Sequence, residues 1–421
     1  MRIVQVLHYF LPRHLAGTEI YTYNLSSELS KRHKVYIYCR EDGFFQREFH
    51  EADEAYRGLP VRRVYFNLMG QKANPINQFL VTFKNKIIER SFTRFLEQVK
   101  PDVVHIQHLY RLSASLISIA KKKGIPVVVT LHDYWFICHA IRLLRPNLEV
   151  CSGPLLGLKC AGCVELGLPP WVSILLRPLI TLLCIYRTAY VKNCLEEADL
   201  LISPSSFLKN KFVEHGFAPD HILVSDNGTN TALFQDLRRE SSEKLRFGYI
   251  GTIQRHKGVH VLIEAFNKID DSRTELKIFG DPLLVPNYYT ELRDMAQNPR
   301  IQFLGEFDNS DIGRILSEID VLIVPSIWPE NSPLTIHEAS LAEVPVIASN
   351  FGGMPELVEN GVTGFLFKPG DADELYSKMH LFIENRELVK QFQDNIGPIK
   401  SIEENAQELE RIYKRLIARR R

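Results

Sequence analysis

The sequence predicts an α/β protein with two Rossmann-like, doubly wound domains that face each other across a cleft. Short, nearly continuous apolar runs recur along the whole 421-residue chain, which is typical of parallel strands covered on both faces. Helical patterns separate these runs, as they do in a doubly wound sheet. Because a chain of this length exceeds what one hydrophobic core usually supports, we expect two such domains rather than one.

Apolar β-branched runs mark the predicted strands, and amphipathic patterns mark the helices between them. The strands are expected at residues 3–7, 35–38, 103–106, 127–131, 200–203, 247–250, 276–279, 301–304, 321–324 and 346–348. The clearest helical patterns cover residues 19–30, 259–269, 311–319 and 334–341, and a final helix is expected at 401–418.

A turn and a polar stretch predict the boundary between the domains. Asn227-Gly228 is a turn signal, and the polar residues 235–244 have the composition of a linker before the next strand. We therefore expect an N-terminal domain over residues 1–224 and a C-terminal domain over 225–398, followed by a terminal segment over 399–421. A cysteine-rich insertion is expected within the N-terminal domain at about 138–165.

Composition and charge exclude several classes of protein. The formal net charge of +1 gives no overall field that would attract nucleic acid. The first apolar run contains Gln5 and His8 and is too short and polar for a signal peptide. No stretch reaches the ~18 uninterrupted apolar residues of a transmembrane helix. We therefore expect a cytoplasmic protein.

The most apolar segment, residues 171–191, is interrupted by Arg177, Pro178 and Arg187. It is predicted to be helical, with a break at the proline. Two interpretations stay open. The helix can be buried within its domain, or it can touch the inner face of a membrane as a peripheral contact.

Two motifs in the N-terminal half place polar groups at the ends of predicted strands. Gly17 lies in the loop between the first strand and the first helix, where a glycine lets backbone N–H groups approach an anion. His132 and Asp133 directly follow a buried strand. A histidine there can bond a ligand hydroxyl or move a proton, or it can be purely structural. His105 and His108 end another predicted strand and are weaker candidates.

Two further motifs lie in the C-terminal half. A strand ends near Gly251, and Arg255 and Lys257 follow in the loop before a helix, where two cations favour a diphosphate. Glu330 and Glu338 stand eight positions apart after an apolar strand and can bond hydroxyl groups at two points of a ligand. A ligand with hydroxyls at both ends and a diphosphate between them is a sugar nucleotide.

In this order the motifs resemble the retaining glycosyltransferases of the GT-B fold, family 4. The resemblance covers nearly the whole chain and is carried by AGTEIYTYNL, PDVVH, TLHDYW, ADLLISPS, DNGTNTALF, KGVHVLIEAF and the Glu-x7-Glu block. It implies transfer of a sugar from a nucleoside diphosphate sugar to a glycan, lipid-linked or small-molecule acceptor, as in polysaccharide biosynthesis. The N-terminal domain would bind the acceptor, the C-terminal domain the donor, and the terminal helix would return to the N-terminal domain.

The resemblance also implies roles for individual residues. Glu330 would contact the transferred sugar near the reacting centre, and Glu338 would bind the ribose hydroxyls. Lys257 would neutralise the diphosphate, and His132 would face the donor sugar or the acceptor. The remaining implied donor contacts are Gly17, Gly251, Arg255, Asn331, Ser332 and Leu334. No protein nucleophile is implied, and no metal or other cofactor is required for catalysis.

Two positions depart from the family pattern and keep other functions open. Thr252 stands where the family usually has arginine, and Ala16 replaces the first glycine of a pair. A non-catalytic protein that binds a sugar nucleotide, as a sensor or as a scaffold for glycan assembly, therefore stays an alternative, as do a sugar-nucleotide epimerase and a phosphorylase. The donor base, the sugar and the acceptor are not determined by these residues. We expect residues 67–80 and the cysteine insertion to set acceptor choice.

Four of the seven cysteines, Cys138, Cys151, Cys160 and Cys163, fall within 26 residues. A Cys-x2-Cys pair with two further thiols suits a structural zinc, with His139 as a substitute ligand, although unligated thiols are the alternative. Asp371 and Asp373 form an Asp-x-Asp pair that suggests a metal motif. Because this pair opens a predicted helix, a helix cap explains it better.

Overall fold

The computed structural model describes residues 1–42, 49–66, 75–164, 167, 170–235 and 237–420. These residues form two compact units. The first contains Met1–Gly228 together with Ile402–Arg421, and the second contains Thr229–Ser401. Part of the predicted acceptor region, residues 67–74, lies outside the described residues, as does residue 165 of the cysteine insertion.

The first unit alternates strands and helices. Its strands are β1 (Arg2–Leu7), β2 (Lys34–Glu41), β3 (Phe49–Tyr56), β4 (Leu59–Phe66), β5 (Val103–Ile106), β6 (Val127–Thr130), β7 (Leu200–Ser203) and β8 (Ile222–Val224). Its helices up to the second unit are α1 (Gly17–Ser30), α2 (Pro75–Val81), α3 (Lys86–Val99), α4 (Leu116–Lys122), α5 (Pro170–Leu175), α6 (Arg177–Glu196) and α7 (Ser206–Glu214). Short 3-10 turns lie at Leu155–Gly157, Cys160–Cys163 and Pro219–His221.

These strands form one sheet in the order β3-β4-β2-β1-β5-β6-β7-β8. All neighbouring pairs are parallel except β3 and β4. Ile3 of β1 pairs with Val35 on one side and with Val103 on the other, so the chain order reverses between β1 and β5. In doubly wound sheets, ligands bind outside the carboxyl ends of the strands at such a reversal.

The second unit repeats this arrangement with fewer strands. Its strands are β9 (Leu245–Ile250), β10 (Thr274–Phe279), β11 (Ile301–Gly305), β12 (Val321–Val324), β13 (Val346–Ser349) and β14 (Gly364–Phe367). Its helices are α8 (Val259–Asn267), α9 (Pro286–Met295), α10 (Ile312–Ser317), α11 (Leu334–Leu341), α12 (Met354–Leu357), α13 (Ala372–Glu384) and α14 (Glu387–Asn395). Further 3-10 turns lie at Thr231–Phe234, Arg255–Lys257 and Asn309–Asp311.

The second sheet is parallel throughout, in the order β11-β10-β9-β12-β13-β14. Every residue of β9 and β12 is buried, which explains why the apolar residues of these strands do not alternate with exposed polar ones. The chain order reverses between β9 and β12. A ligand site is therefore expected beyond the carboxyl ends of these two strands.

The last helix, α15 (Ile402–Ala418), belongs to the first unit. Its apolar face joins the core formed by α1, β1 and β2. The Tyr21 hydroxyl donates to Asn405 Oδ1 at 2.8 Å, and the Tyr413 hydroxyl lies 2.6 Å from His105 Nδ1. Both hydrogen bonds are buried, so they fix the helix against this unit.

The predicted elements are present, and four strands were missed. All ten predicted strands form, and the helix expected at 334–341 has the predicted bounds. The missed strands β3 and β4 contain charged residues, while β8 and β14 are only three and four residues long. Two predicted sheets of parallel strands are thus confirmed, with one antiparallel edge strand that the pattern did not indicate.

Candidate active site

In the second unit, two glycines allow the loops after β9, β12 and β13 to approach closely. Gly258 has a φ of 74°, and a Cβ atom there would lie 1.8 Å from the Pro325 carbonyl oxygen. Gly352 has a φ of 68°, and a Cβ atom there would lie 2.1 Å from the Glu330 carbonyl oxygen. Both positions require glycine because of backbone conformation and space. As a result, the turn that carries Lys257 lies against the end of β12, and the Glu330 backbone lies against the turn after β13.

Lys257 and Glu330 form the centre of this site. Lys257 Nζ donates to Glu330 Oε1 at 2.6 Å. The same oxygen accepts from Ser326 Oγ and from Trp328 Nε1, each at 2.7 Å. Glu330 is only 6% exposed, so a buried carboxylate is held by three donors, one of them charged. The sequence prediction named the lysine and the glutamate but not their pairing, and it did not identify the two side chains that support the carboxylate.

Glu338 lies on α11 and has a different environment. It is 8% exposed, and burial raises the pKa of its carboxyl from the ordinary 4.5 to about 7. Within the described part of the chain, no hydrogen-bond or ion-pair partner reaches this carboxyl. A buried carboxyl without a partner is unfavourable for folding, and such groups are commonly found where a ligand supplies the missing hydrogen bonds.

Four other predicted donor residues lie in the second unit. Gly251 follows β9, and Leu334 begins α11. Asn331 is buried next to Glu330, and Ser332 Oγ lies 2.8 Å from His337 Nε2.

Arg255 shares the Lys257 turn, but its guanidinium pairs with Glu291 and lies 4.9 Å from the centroid of the Tyr288 ring. As the structure stands, Arg255 is therefore held by α9 and is not part of the Lys257–Glu330 contact.

The first unit gathers polar groups at its own chain reversal. His132 follows β6, and its Nε2 lies 2.7 Å from Gln107 Oε1. Because an amide oxygen only accepts, His132 donates through Nε2. Burial lowers the pKa of His132 to about 3, so its imidazole is neutral near pH 7. Gly17 is the first residue of α1, after an extended Ala16, and not a residue of the preceding loop as predicted.

A second cluster in this unit was largely missed by the sequence prediction. His108 Nε2 donates to Asp133 Oδ2 at 2.8 Å, while its Nδ1 accepts from the Tyr110 backbone N–H at 3.0 Å. The centroids of the His8 and His108 rings are 4.3 Å apart, and His8 Nε2 is 3.6 Å from Glu19 Oε1. Glu19 Oε2 is buried and has no hydrogen-bond partner among the described residues. Burial raises the pKa of the Glu19 carboxyl to about 7.

His105 is structural. Its two ring nitrogens contact the Tyr413 hydroxyl and Thr130 Oγ1, and the side chain is fully buried. The weak prediction that His105 lines a ligand site is therefore not supported by its contacts, whereas His108 does lie in the polar cluster.

The four cysteines predicted as zinc ligands lie in the described part of the chain. Cys138, Cys151, Cys160 and Cys163 are free thiols, and burial raises the pKa of Cys160 to about 12. Among the residues that the structure describes, no three or more His, Cys, Asp or Glu side chains are placed to hold a metal ion together. Zinc binding thus gains no support from the geometry and stays a prediction, which metal analysis of the dialysed protein would test.

The Asp-x-Asp pair has the capping role that its position suggested. Asp371 Oδ1 accepts from the Glu374 backbone N–H at 3.0 Å at the start of α13. Asp373 pairs instead with Lys268 at 2.6 Å. Both aspartates thus have structural partners.

Comparison with known proteins identifies the family. Residues 15–233 match the model of the family described as Glycosyltransferase Family 4, and residues 233–396 match that of Glycosyl transferases group 1. The chain belongs to this glycosyltransferase family. The predicted GT-B fold and the predicted transferase activity are confirmed.

Individual proteins resemble the chain over nearly its whole length. A 42.6 kDa protein in the cps region of Klebsiella pneumoniae is 23% identical over 85% of this glycosyltransferase and 87% of its own length. The structure of sucrose-phosphate synthase from Thermosynechococcus elongatus has a TM-score of 0.68 at 18% identity, with 99% of each chain covered. The structure of Anabaena Alr3699/HepE in complex with UDP and glucose has a TM-score of 0.64 at 18% identity, covering 98% of this chain and 99% of that one.

Proposed function

We propose that this glycosyltransferase moves a sugar, with retention of anomeric configuration, from a uridine diphosphate sugar to a glycan or lipid-linked acceptor. The observation that carries this proposal is the contrast between two carboxylates of one unit. Glu330 is held by three donors, whereas Glu338 is buried with no partner among the described residues. A ribose diol would supply the two donors that Glu338 lacks. Uridine is proposed because the similar HepE structure contains UDP.

Lys257 is the proposed diphosphate ligand. Its ammonium group has three N–H donors, and one of them is used by Glu330. The other two can serve the phosphate oxygens while the pair with Glu330 is kept. The negative charge on the departing diphosphate would then be stabilised by a lysine whose position is fixed before the ligand arrives. We propose that this charge makes a catalytic metal unnecessary, so that activity persists in EDTA.

Glu330 is proposed to act on the transferred sugar from a fixed position. Three hydrogen bonds to one oxygen set the orientation of the carboxylate, and the Gly353 N–H donates to the Glu330 carbonyl oxygen at 2.7 Å. A carboxylate that is fixed this firmly can bond a sugar hydroxyl or stabilise positive charge at the reacting carbon without reorganising.

The test is release of UDP from UDP-sugars in the presence and absence of acceptors. We expect acceptor-dependent release, a product with the donor's anomeric configuration by NMR, and turnover in EDTA. Lys257→Ala should lower kcat by about 10² to 10³, as removal of one charge-stabilising donor does. Glu330→Ala should abolish turnover while thermal unfolding still shows a folded protein.

The same assay separates the alternatives. UDP binding without turnover on a broad acceptor panel would favour a sugar-nucleotide sensor or scaffold. Conversion of the donor sugar without any acceptor would favour an epimerase. Full activity of Glu330→Ala would remove the role assigned to that carboxylate.

The acceptor is proposed to be presented at a membrane surface by peripheral contact. A lipid-linked acceptor would require the first unit to reach the lipid headgroups. Transfer to a lipid-linked sugar should then be faster on vesicles than in detergent, and equal rates in both would favour a soluble acceptor.

A further inference from the structure

The exposed apolar side chains of this protein are concentrated in one part of the first unit. Among the described residues, eighteen large apolar side chains are exposed, and nine of them lie between Leu155 and Tyr186. Single exposed apolar residues are normal on a protein surface, but a contiguous group usually marks an interaction site. This group occupies α5, the outer face of α6 and the 3-10 turn at Leu155–Gly157, and we call it the α5–α6 surface.

The two helices are apolar on the side that faces solvent. Trp171 and Leu175 are 70% and 72% exposed, and Leu179, Leu182 and Tyr186 continue the stripe at helical spacing. The opposite face of α6 is buried in the unit. A helix that is apolar on both faces, with one face in water, lacks a partner on that face.

The neighbouring turn supports the same conclusion. It packs against α6 and exposes Leu155 and Leu156, the latter at 76%. These leucines have φ angles of 45° and 57°, in the left-handed region that costs an ordinary residue free energy. Neither burial in this unit nor backbone preference therefore explains leucine at these positions.

The segment that forms the α5–α6 surface is poor in acidic residues. Between Glu149 and Glu196 the sequence contains one acidic residue, Glu165, which lies outside the described residues. Lys159 and Arg177 are exposed within this segment. Lys84 Nζ donates to the Tyr186 hydroxyl at 2.7 Å, which places a third cation beside the stripe.

We propose that the α5–α6 surface docks on an anionic lipid bilayer. No helix in the described part of the chain is long and apolar enough to cross a membrane, so the helices would lie in the plane of the surface. Trp171 and the leucines would enter the boundary between headgroups and acyl chains, and the three cations would contact lipid phosphates. A folded protein would be a less suitable partner. Its own cations would need acidic residues to pair with, and the described residues between Glu149 and Glu196 include none.

This inference depends on the proposed function in one respect only, namely that the membrane would present the acceptor. Lipid binding itself needs no transfer reaction. Vesicle binding and UDP release are therefore separate measurements, and either can fail while the other succeeds.

The experiment is co-sedimentation of the full chain with vesicles of phosphatidylcholine, or of an equal mixture of phosphatidylcholine and phosphatidylglycerol. We expect binding to the mixed vesicles that weakens as salt is raised. Leu156→Ser should lower the partition coefficient by about tenfold. Leu283→Ser is the matched control, because Leu283 lies in the other unit and is 78% exposed, and it should change nothing. Arg177→Glu should weaken binding to the mixed vesicles, whereas Arg238→Glu should not.

Three results would overturn the proposal. The first is no sedimentation with either vesicle. The second is an equal effect of Leu156→Ser and Leu283→Ser. The third is a dimer in solution that Trp171→Ser converts to monomer, which would make this surface an interface between two copies of the chain. All the substituted side chains are exposed, and thermal unfolding of each variant confirms that it is folded.

Discussion

Replacement of Glu338 by glutamine should stabilise the protein at neutral and alkaline pH. Burial raises the pKa of this carboxyl from 4.5 to about 7, so the folded state binds the proton more tightly than the unfolded state does. The neutral carboxyl is tolerated at low pH, and the free energy of unfolding falls as pH rises from about 4.5 towards 7. At about 1.4 kcal/mol per pKa unit, the loss is about 3 kcal/mol once the group is ionised in both states. Glutamine resembles the neutral form and avoids this loss.

Urea denaturation at pH 5 and pH 8 would measure the effect. We expect Glu338→Gln to raise the free energy of unfolding by about 3 kcal/mol at pH 8 and by less than about 1 kcal/mol at pH 5. Glu359→Gln is the control, since that side chain is exposed, and it should leave the pH dependence as it is. An equal gain at both pH values, or a loss of stability at pH 8, would refute the description of Glu338 as a buried carboxyl without a partner.

The same substitution should weaken nucleotide binding. Ribose hydroxyls donate more strongly to a carboxylate than to an amide, so Glu338→Gln should lower the affinity for UDP by about tenfold or more. Binding to the unmodified protein at pH 6.5 should also release protons, because the ligand favours the ionised form. Calorimetry in buffers of different ionisation enthalpy would detect this release, and Glu338→Gln should abolish it. Unchanged UDP affinity would show that the ribose is bound elsewhere.

Three further predictions concern neighbouring groups. Glu330→Gln should destabilise the protein by about 1–3 kcal/mol in urea denaturation, the opposite sign to Glu338→Gln, because it breaks a buried pair with Lys257; a gain in stability would contradict this. Gly258→Ala should cost more than about 2 kcal/mol and reduce UDP affinity, whereas Gly361→Ala, also at positive φ but with no atom near, should cost only about 1 kcal/mol. Glu19→Gln should raise stability above pH 7 without changing the protons released when UDP binds, and an altered proton release would show that the two carboxyls are coupled.

The fold was largely predictable because its signals are local. Parallel strands buried on both faces leave continuous apolar runs, and every run that was predicted as a strand forms one. Strand β3 escaped prediction because it lies at the sheet edge, where charged residues such as Glu51 and Asp53 are tolerated. An edge strand is held by hydrogen bonds to its one neighbouring strand, so its own sequence need not show an apolar pattern.

The sequence predicted candidate members of the site but not their contacts. Glu330, Lys257 and Glu338 were identified from spacing and from resemblance to a family. That Lys257 bonds Glu330, while Arg255 turns away to Glu291, depends on how loops pack after different strands. The cluster of His8, Glu19 and His108 was overlooked for the same reason, since these residues come from three separate segments of the first unit.

Each of the two units has a buried carboxyl with a raised pKa at the reversal of its chain order. Glu19 lies in the first turn of the helix after β1, and Glu338 lies in the helix after β12. Burial alone raises the pKa of Glu338, and it is the largest cause of the rise at Glu19. Both groups reduce stability at pH 7, and glutamine at either position would remove that loss. Burial of an acid at Glu338 disfavours folding, and the carboxyl end of a sheet is where a doubly wound unit binds its ligand. We therefore propose that Glu338 is an acid because it binds a ligand.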